Sequence, residues 1–262
     1  EVGMDKKGEI EYLSKLIKPD VGVITNISYA HIKNFKNLKG IALAKSELIN
    51  QINTGGKIIL NKDDKFFGLF NYIALKKNIE VISFGKNSAS DVHLMKVTKE
   101  PINSTIYVKV QNFVHKFSIS NELKPYIINV IGVIAVISVY FRIREIPKNL
   151  FKNFKIPDGR GNVFKIELYK KKLNIIDESY NSNPLSLKFS LNKFDNLKVN
   201  KSKKIILLGD MLELGKYSKK LHLEASKYVN KSNIDKVYVY GKYIKYTFNK
   251  IKTKKKGRIF KS

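Results

Sequence analysis

The chain has 262 residues, of which 43% are hydrophobic and 11% aromatic, and it contains no cysteine. This composition excludes an intrinsically disordered protein, and the length predicts a sizeable core divided between two domains. Without cysteine the chain has neither a disulfide framework nor thiolate chemistry, which is consistent with a reducing cytosol.

The charge is strongly positive, since 50 Lys and Arg against 22 Asp and Glu give a net charge of +28. Such a charge can attract nucleic acid or anionic lipid. Most of it is lysine spread along the chain among many Asn and Ile, which we interpret as solvated surface; the dense basic run is residues 252–258. A basic nucleic-acid-binding protein remains an alternative hypothesis, although no recognition motif is visible.

The first half of the chain predicts strands that alternate with helices. The predicted elements are a buried strand after Pro19-Asp20, a helix over 39–52, strands over 57–61 and 80–85, antiparallel hairpin strands over 91–120, and a helix over 125–141. The apolar run 126–141 is interrupted by Asn129 and is shorter than the roughly 20 residues of a spanning helix. We therefore predict a buried core helix there and no membrane span.

The segment 146–161 is rich in proline and glycine and predicts a linker, with a hinge near 147–158. After it the strand-helix pattern restarts. The predicted elements are strands near 163–169 and 173–179, a helix from Pro184, a strand over 203–209, a helix over 216–230, a strand over 236–240, and a helix over 242–251. Asn183 is the predicted N-cap of the helix that begins at Pro184. The pattern indicates a mostly parallel α/β sheet.

Polar residues follow several of these strands at the edge where open α/β sheets bind ligands. His31 lies in the loop after the first strand and can be a loop residue, a core residue or a ligand. Asp177, after another strand, can cap a turn or bind the hydroxyls of a ribose. Asp210 and Glu213 again follow a buried strand, whereas His222 on the next helix is predicted to be a surface residue.

Lys45 lies within the apolar stripe of its predicted helix, on the same side as Ile41, Leu48 and Ile52. One interpretation is a lysine whose stem covers the core while its amine reaches water. The other is a lysine held in a low-dielectric cleft, where its pKa falls and its neutral amine can be modified or can serve chemistry.

Together these segments resemble the Mur ligase family of peptidoglycan synthesis, most closely its MurF type. The matching segments are residues 1–10, Thr25 to His31, Ile41 to Glu47, Asp177 to Pro184, and Leu208 to Gly215. The last two favour MurF, because MurE and folylpolyglutamate synthetase carry Ala-His where this chain has Tyr180-Asn181. Two departures stand out: Asp5 replaces the family's Asn, and Pro125-Tyr126 replaces its His-Asn.

The resemblance implies a fold with two domains, a central domain with a mostly parallel sheet (1–156) and a Rossmann-like α/β C-terminal domain (157–262). It implies ATP-dependent, cytoplasmic ligation of D-alanyl-D-alanine to UDP-N-acetylmuramoyl-tripeptide through an acyl phosphate, with Mg²⁺ neutralising the phosphates. Both substrates are small molecules, and we expect a monomer that binds no nucleic acid.

The resemblance also implies the site residues. His31 and Lys45 would be catalytic, and with Glu1 they would bind magnesium, Lys45 as a carbamylated lysine. The implied ATP-binding residues are Asn129, Arg160, Asp177 and Asn61. The implied substrate-cleft residues are Tyr180, Asn181, Asn183, Asp210 and Glu213.

The sequence contains no Gly-rich phosphate loop that ends in Gly-Lys-Ser/Thr. In the family, that loop and an N-terminal substrate domain precede the segment that matches residue 1, and a Lys-Gly-Ser segment closes the chain. We therefore expect a fragment of a longer ligase that does not turn over ATP by itself. A non-catalytic remnant that keeps the fold is the alternative.

Overall fold

The computed structural model describes residues 2–101, 103–197 and 202–261, which form two compact units. The first unit consists of Glu1–Ile27 and Asn37–Ile156, and the second of Ser28–Lys36 and Pro157–Ser262. The short segment Ser28–Lys36, which carries His31, thus belongs to the second unit although it interrupts the first in sequence. The division into family domains at residue 156 remains our proposal.

The first unit is a six-stranded sheet with helices. Its elements are α1 Glu9–Ile17, β1 Val21–Ile24, α2 Leu38–Asn50, β2 Lys57–Asn61, α3 Phe67–Lys76, β3 Glu80–Gly85, β4 Val92–Lys99, β5 Asn103–Val110, β6 Phe113–Ser120 and α4 Ile127–Tyr140. The strands lie side by side in chain order, parallel from β1 to β4 and antiparallel from β4 to β6. The predicted α/β class is confirmed here, whereas α1 and α3 are not among the predicted elements.

The core of the first unit lies between α4 and the sheet. β5 buries every second residue, and these side chains pack with the buried face of α4, which includes Val130, Ile131 and Ile134. In the described part of the chain, Asn121–Tyr140 has the length and composition of a membrane-spanning helix, with a mean hydropathy of 1.8. In the structure this helix packs on the sheet, as predicted for a core helix.

The second unit contains two smaller sheets. Its elements are β7 Asn162–Leu168, β8 Lys171–Asp177, α5 Pro184–Asp195, β9 Ile205–Leu208, α6 Ser218–Lys231, β10 Lys236–Tyr240, α7 Ile244–Lys250 and β11 Lys256–Phe260. β9, β10 and β11 form a parallel sheet with β10 in the centre, and β7 and β8 form an antiparallel ribbon. β11, which lies in the basic end of the chain, is not among the predicted strands.

The start of α5 shows how local sequence fixes an element. The Asn183 side chain accepts hydrogen bonds from the backbone N–H groups of Leu185 and Ser186 at 3.0 Å, and the Ser186 hydroxyl accepts from the Asn183 N–H at 2.9 Å. This reciprocal pair satisfies N–H groups that a helix start leaves without partners, and Pro184 fits because it has no N–H. The predicted N-cap is confirmed.

Replacement of Ile131 by alanine should destabilise the first unit by about 2–5 kcal/mol, because Ile131 is 0% exposed in the core and its loss leaves a cavity. The matched control is Val133→Ala on the same helix, where the side chain is 46% exposed, and this change should stay within about 0.5 kcal/mol. Urea unfolding monitored by circular dichroism measures both. Equal effects of the two variants would contradict the packing of α4.

Candidate functional site

In the first unit, residues that follow β2 hold the loop that leaves β1. The Asn61 amide donates a hydrogen bond to the Thr25 carbonyl at 3.0 Å. The Asp64 carboxylate accepts one from the Ile27 N–H at 2.8 Å. Because β1 and β2 are parallel neighbours, their carboxyl ends meet at one edge of the sheet. This edge therefore has the geometry predicted for a ligand site, with Asn61 already engaged by the loop.

Lys45 reaches the same edge from α2. Its ammonium donates to the Asn26 carbonyl at 3.3 Å, and the residue is half-buried rather than exposed. Burial lowers the pKa of Lys45 because it disfavours the charged amine, and the nearby Asp64 carboxylate opposes that shift. The net direction increases the neutral fraction of the amine, which is the form that reacts with electrophiles.

In the second unit, His31 lies against Glu213, although they are distant in sequence. The His31 Nδ1 and the Glu213 Oε2 are 2.7 Å apart, and the Lys33 N–H donates to the Glu213 carbonyl at 2.9 Å. Both His31 and Glu213 have positive φ, 59° and 60°, which is uncommon for residues other than glycine and is a feature of functional sites. The structure thus brings together one predicted metal ligand and one predicted cleft residue.

Asp210 holds the start of α7. Its carboxylate accepts hydrogen bonds from the N–H groups of Lys242, Tyr243 and Ile244 at 2.9, 2.9 and 2.7 Å. Gly241 is required beside it, because a Cβ there would lie 2.5 Å from Asp210 Oδ1. The carboxylate is therefore engaged by backbone amides, and a part for Asp210 in a substrate cleft stays a prediction.

Asp177, Arg160 and Tyr180 lie at the carboxyl end of β8. The Ser179 hydroxyl and the Ser179 N–H, which donates at 2.9 Å, hold the pKa of Asp177 below its usual range. The Arg160 guanidinium stacks over the Tyr180 ring, 4.3 Å from its centroid. The chain at the end of β8 thus carries a carboxylate that stays ionised and can accept from hydroxyl groups, and an exposed aromatic ring that can stack on a flat ligand.

The other predicted site residues are dispersed. The Asn181 side chain accepts a hydrogen bond from the Ser182 N–H at 2.7 Å, and Asn183 caps α5. Asn129 is exposed on α4 in the first unit. Glu1 lies outside the described residues, so its part in metal binding stays a prediction.

Two residues with clear structural roles were not identified from the sequence. Asp64 fixes the loop after β1, and the run Asn61-Lys62-Asp63-Asp64 at the end of β2 was the available signal. The prediction that His222 is a surface residue is wrong, because its side chain is 0% exposed on α6. The helical spacing of α6 did not show that α7 covers this side.

Comparison with known proteins identifies the two halves of the chain. The family model described as Mur ligase middle domain matches residues 1–137, and the model described as Mur ligase, glutamate ligase domain matches residues 159–258. UDP-N-acetylmuramoyl-tripeptide–D-alanyl-D-alanine ligase of Bacillus subtilis is 31% identical over 245 residues, covering 92% of this chain and 50% of the relative. The same-named enzyme of Rickettsia prowazekii is 28% identical over 267 residues, covering 100% of this chain and 57% of the relative.

Solved structures show the same fold. A crystal structure of MurF from Acinetobacter baumannii has a TM-score of 0.83 at 24% identity and covers 98% of this chain and 54% of its own. MurF from Thermotoga maritima in complex with ADP has a TM-score of 0.70 at 20% identity and covers 100% of this chain and 62% of its own. The chain thus spans about half the length of the curated relatives it matches.

Lys45 should lose its proton at a lower pH than an ordinary lysine, whose pKa is about 10.4, because burial disfavours the charged amine. Asp64→Asn should lower the Lys45 pKa further, because it removes the negative charge that favours the ammonium and keeps an oxygen that can accept from the loop. NMR titration of the lysine side chains measures both effects. A Lys45 that titrates at the ordinary lysine pKa would contradict the half-buried geometry.

Proposed function

The chain belongs to the Mur ligase family, and from this premise we propose that it forms the middle and C-terminal parts of a ligase that joins D-alanyl-D-alanine to UDP-N-acetylmuramoyl-tripeptide. The observation that carries the proposal is that relatives bearing this name match 92% or more of the chain at 28–31% identity. The activity and substrates are those named for relatives of which the chain spans about half the length, so they come to this chain as part of the proposal.

ATP is the proposed source of energy, because members of the family are ATP-dependent peptide ligases and one structural neighbour was solved with ADP. Asp177 suits the ribose, since its lowered pKa keeps the carboxylate ionised and able to accept from hydroxyl groups. Arg160 and Asn129 are the proposed partners for the remaining polar groups of the nucleotide. Asn61 contributes by holding the Thr25 loop.

Magnesium is the proposed metal, and the chemistry of the residues present fits it. The neutral amine of Lys45 can attack carbon dioxide, forming an N–C bond and releasing one proton, and the carbamate then carries the oxygen ligands that Mg²⁺ prefers. Glu213 fixes the ring of His31 through Nδ1, which is how metal-binding histidines are oriented. When bound, the metal would neutralise phosphate charge.

The proposed reaction proceeds in two displacements. The terminal carboxylate of the tripeptide attacks the γ-phosphorus of ATP and releases ADP. The amine of D-alanyl-D-alanine then attacks the acyl carbon, forming the amide bond and releasing phosphate and one proton. Tyr180 and Asn181, both exposed after β8, are proposed to contact the substrates. The predicted monomeric state and cytoplasmic location belong to the same proposal, and the nucleic-acid hypothesis is not favoured by the relatives found.

The decisive experiment fuses this chain into the Bacillus subtilis relative in place of the matching segment, and measures phosphate release with ATP, Mg²⁺ and both substrates. We expect release that depends on both substrates. Lys45→Ala should reduce the rate by about 100-fold or more, because it removes a group that stabilises charge in the transition state. Lys39→Ala, an exposed change on the same helix, is the matched control and should retain the rate.

The chain alone should release no phosphate under the same conditions, because the sequence lacks the Gly-Lys-Ser/Thr loop that positions the phosphates. A fusion that folds and binds the UDP-linked tripeptide, yet releases no phosphate, would instead support a non-catalytic remnant. An unchanged rate in the Lys45→Ala fusion would refute the role assigned to this lysine.

A further inference from the structure

His222 is a fully buried histidine on α6 to which the proposed function assigns no role. Its Nε2 accepts a hydrogen bond from the Met211 N–H at 3.0 Å, and its Nδ1 lies 2.7 Å from the Ser218 carbonyl oxygen. A carbonyl oxygen can only accept, and a backbone N–H can only donate. These two partners therefore require a neutral imidazole with its proton on Nδ1.

The Met211 N–H belongs to the loop 209–217, which connects β9 to α6 and carries Glu213. In this loop the Glu213 side chain contacts His31, and the Glu213 carbonyl accepts from the Lys33 N–H at 2.9 Å. The loop 209–217 thus positions the His31 side chain through Glu213. His222, on α6, holds this loop through the Met211 N–H.

We propose that His222 is a positioning residue, which fixes the Met211 amide as its neutral Nδ1–H tautomer and so sets the loop 209–217 that presents Glu213 to His31. The contribution to ligation rests on the proposed function. The contribution to loop geometry does not, because every contact used here lies within the second unit of the described chain.

The surroundings of His222 also favour a neutral imidazole ring. Burial lowers the pKa of His222, and this effect exceeds the opposing effects of the Ser218 carbonyl and the Asp210 carboxylate. From the start of α7, the Tyr243 ring faces the imidazole at 5.9 Å between centroids. Protonation would place an Nε2–H donor against the Met211 N–H donor, so that the loop would lose its anchor.

The lowered pKa of His222 determines the direction in which its contribution to stability changes with pH. Because the pKa is lowered in the folded chain, the unfolded chain binds the proton more readily. The contribution of His222 to stability is therefore complete above the ordinary histidine pKa of about 6.5 and is lost as the pH falls through the lowered value.

Two conservative variants separate the two hydrogen bonds. Glutamine can place an amide oxygen near the position of Nε2 and keep the acceptor for Met211. Asparagine can place an amide N–H near the position of Nδ1 and keep the donor to Ser218, but it leaves Met211 without an acceptor. Ser226→Ala is the matched control, because Ser226 is buried one turn further along α6 and its hydroxyl donates to the Leu223 carbonyl of its own helix.

The test is NMR spectroscopy of the ¹⁵N-labelled 262-residue chain. In the wild type, the His222 Nδ1 should carry the proton and Nε2 should be bare at pH 7. His222→Asn should raise the exchange rate of the Met211 amide roughly tenfold, the factor expected for loss of one hydrogen bond, and should shift the His31 ring resonances. In His222→Gln and Ser226→Ala, the Met211 exchange rate and the His31 ring resonances should stay close to those of the wild type.

Three results would overturn the proposal. They are a proton on Nε2 of His222 at neutral pH, unchanged Met211 exchange in His222→Asn, or His31 shifts of equal size in His222→Asn and Ser226→Ala. The tautomer is measured in the wild-type chain, so it decides the matter even if the variants do not fold. None of these measurements uses ligation, so they stand whether or not the ligase assay succeeds.

Discussion

Backbone N–H groups at the carboxyl ends of the strands must find acceptors, and this requirement organises both units. Regular secondary structure leaves these groups without partners where the chain turns away from the sheet, and each unpaired buried group is costly. Acidic side chains from neighbouring elements meet much of the need. Asp63 accepts from the N–H groups of Lys86 and Asn87 at 2.7 and 2.9 Å, and Asp210 accepts from three amides at the start of α7.

Within each unit, this constraint separates carboxylates that hold loops from titratable groups that stay candidates for binding a ligand. The carboxylates of Asp64 and Asp210 are engaged by backbone amides, so they fix loops. Lys45 is half-buried with a lowered pKa, and Asp177 has a lowered pKa that keeps it ionised. Asp177 also accepts from the Ser179 N–H, so an amide partner alone does not exclude a part in ligand binding. A shifted pKa distinguishes Lys45 and Asp177, as is expected of groups that meet a ligand.

Much of the fold was predictable because its signals are local. β2, β3 and β10 were predicted at their observed bounds, and the α5 cap followed from Asn183 and Pro184 alone. The sequence pattern could not show the pairing of His31 with Glu213, because that contact depends on Ser28–Lys36 joining the second unit. The wrong prediction for His222 has a similar cause, because α7 and the loop 209–217, which lie apart from it in sequence, bury its side of α6.

Because lysine is so frequent in this chain, the positions of the acidic residues say more about the structure than the positions of the basic ones. With 50 basic against 22 acidic side chains, a lysine at a given surface position needs no structural explanation, whereas an acidic residue with several amide partners does. Glu47 illustrates this, because it is 8% exposed and accepts from the N–H groups of Gly8 and Glu11 at the start of α1. Such carboxylates cannot be exchanged for lysine without leaving donors unpaired, while most surface lysines carry no such constraint. The high net charge can therefore coexist with an ordinary α/β fold, and it is not in itself a sign of a polyanionic partner.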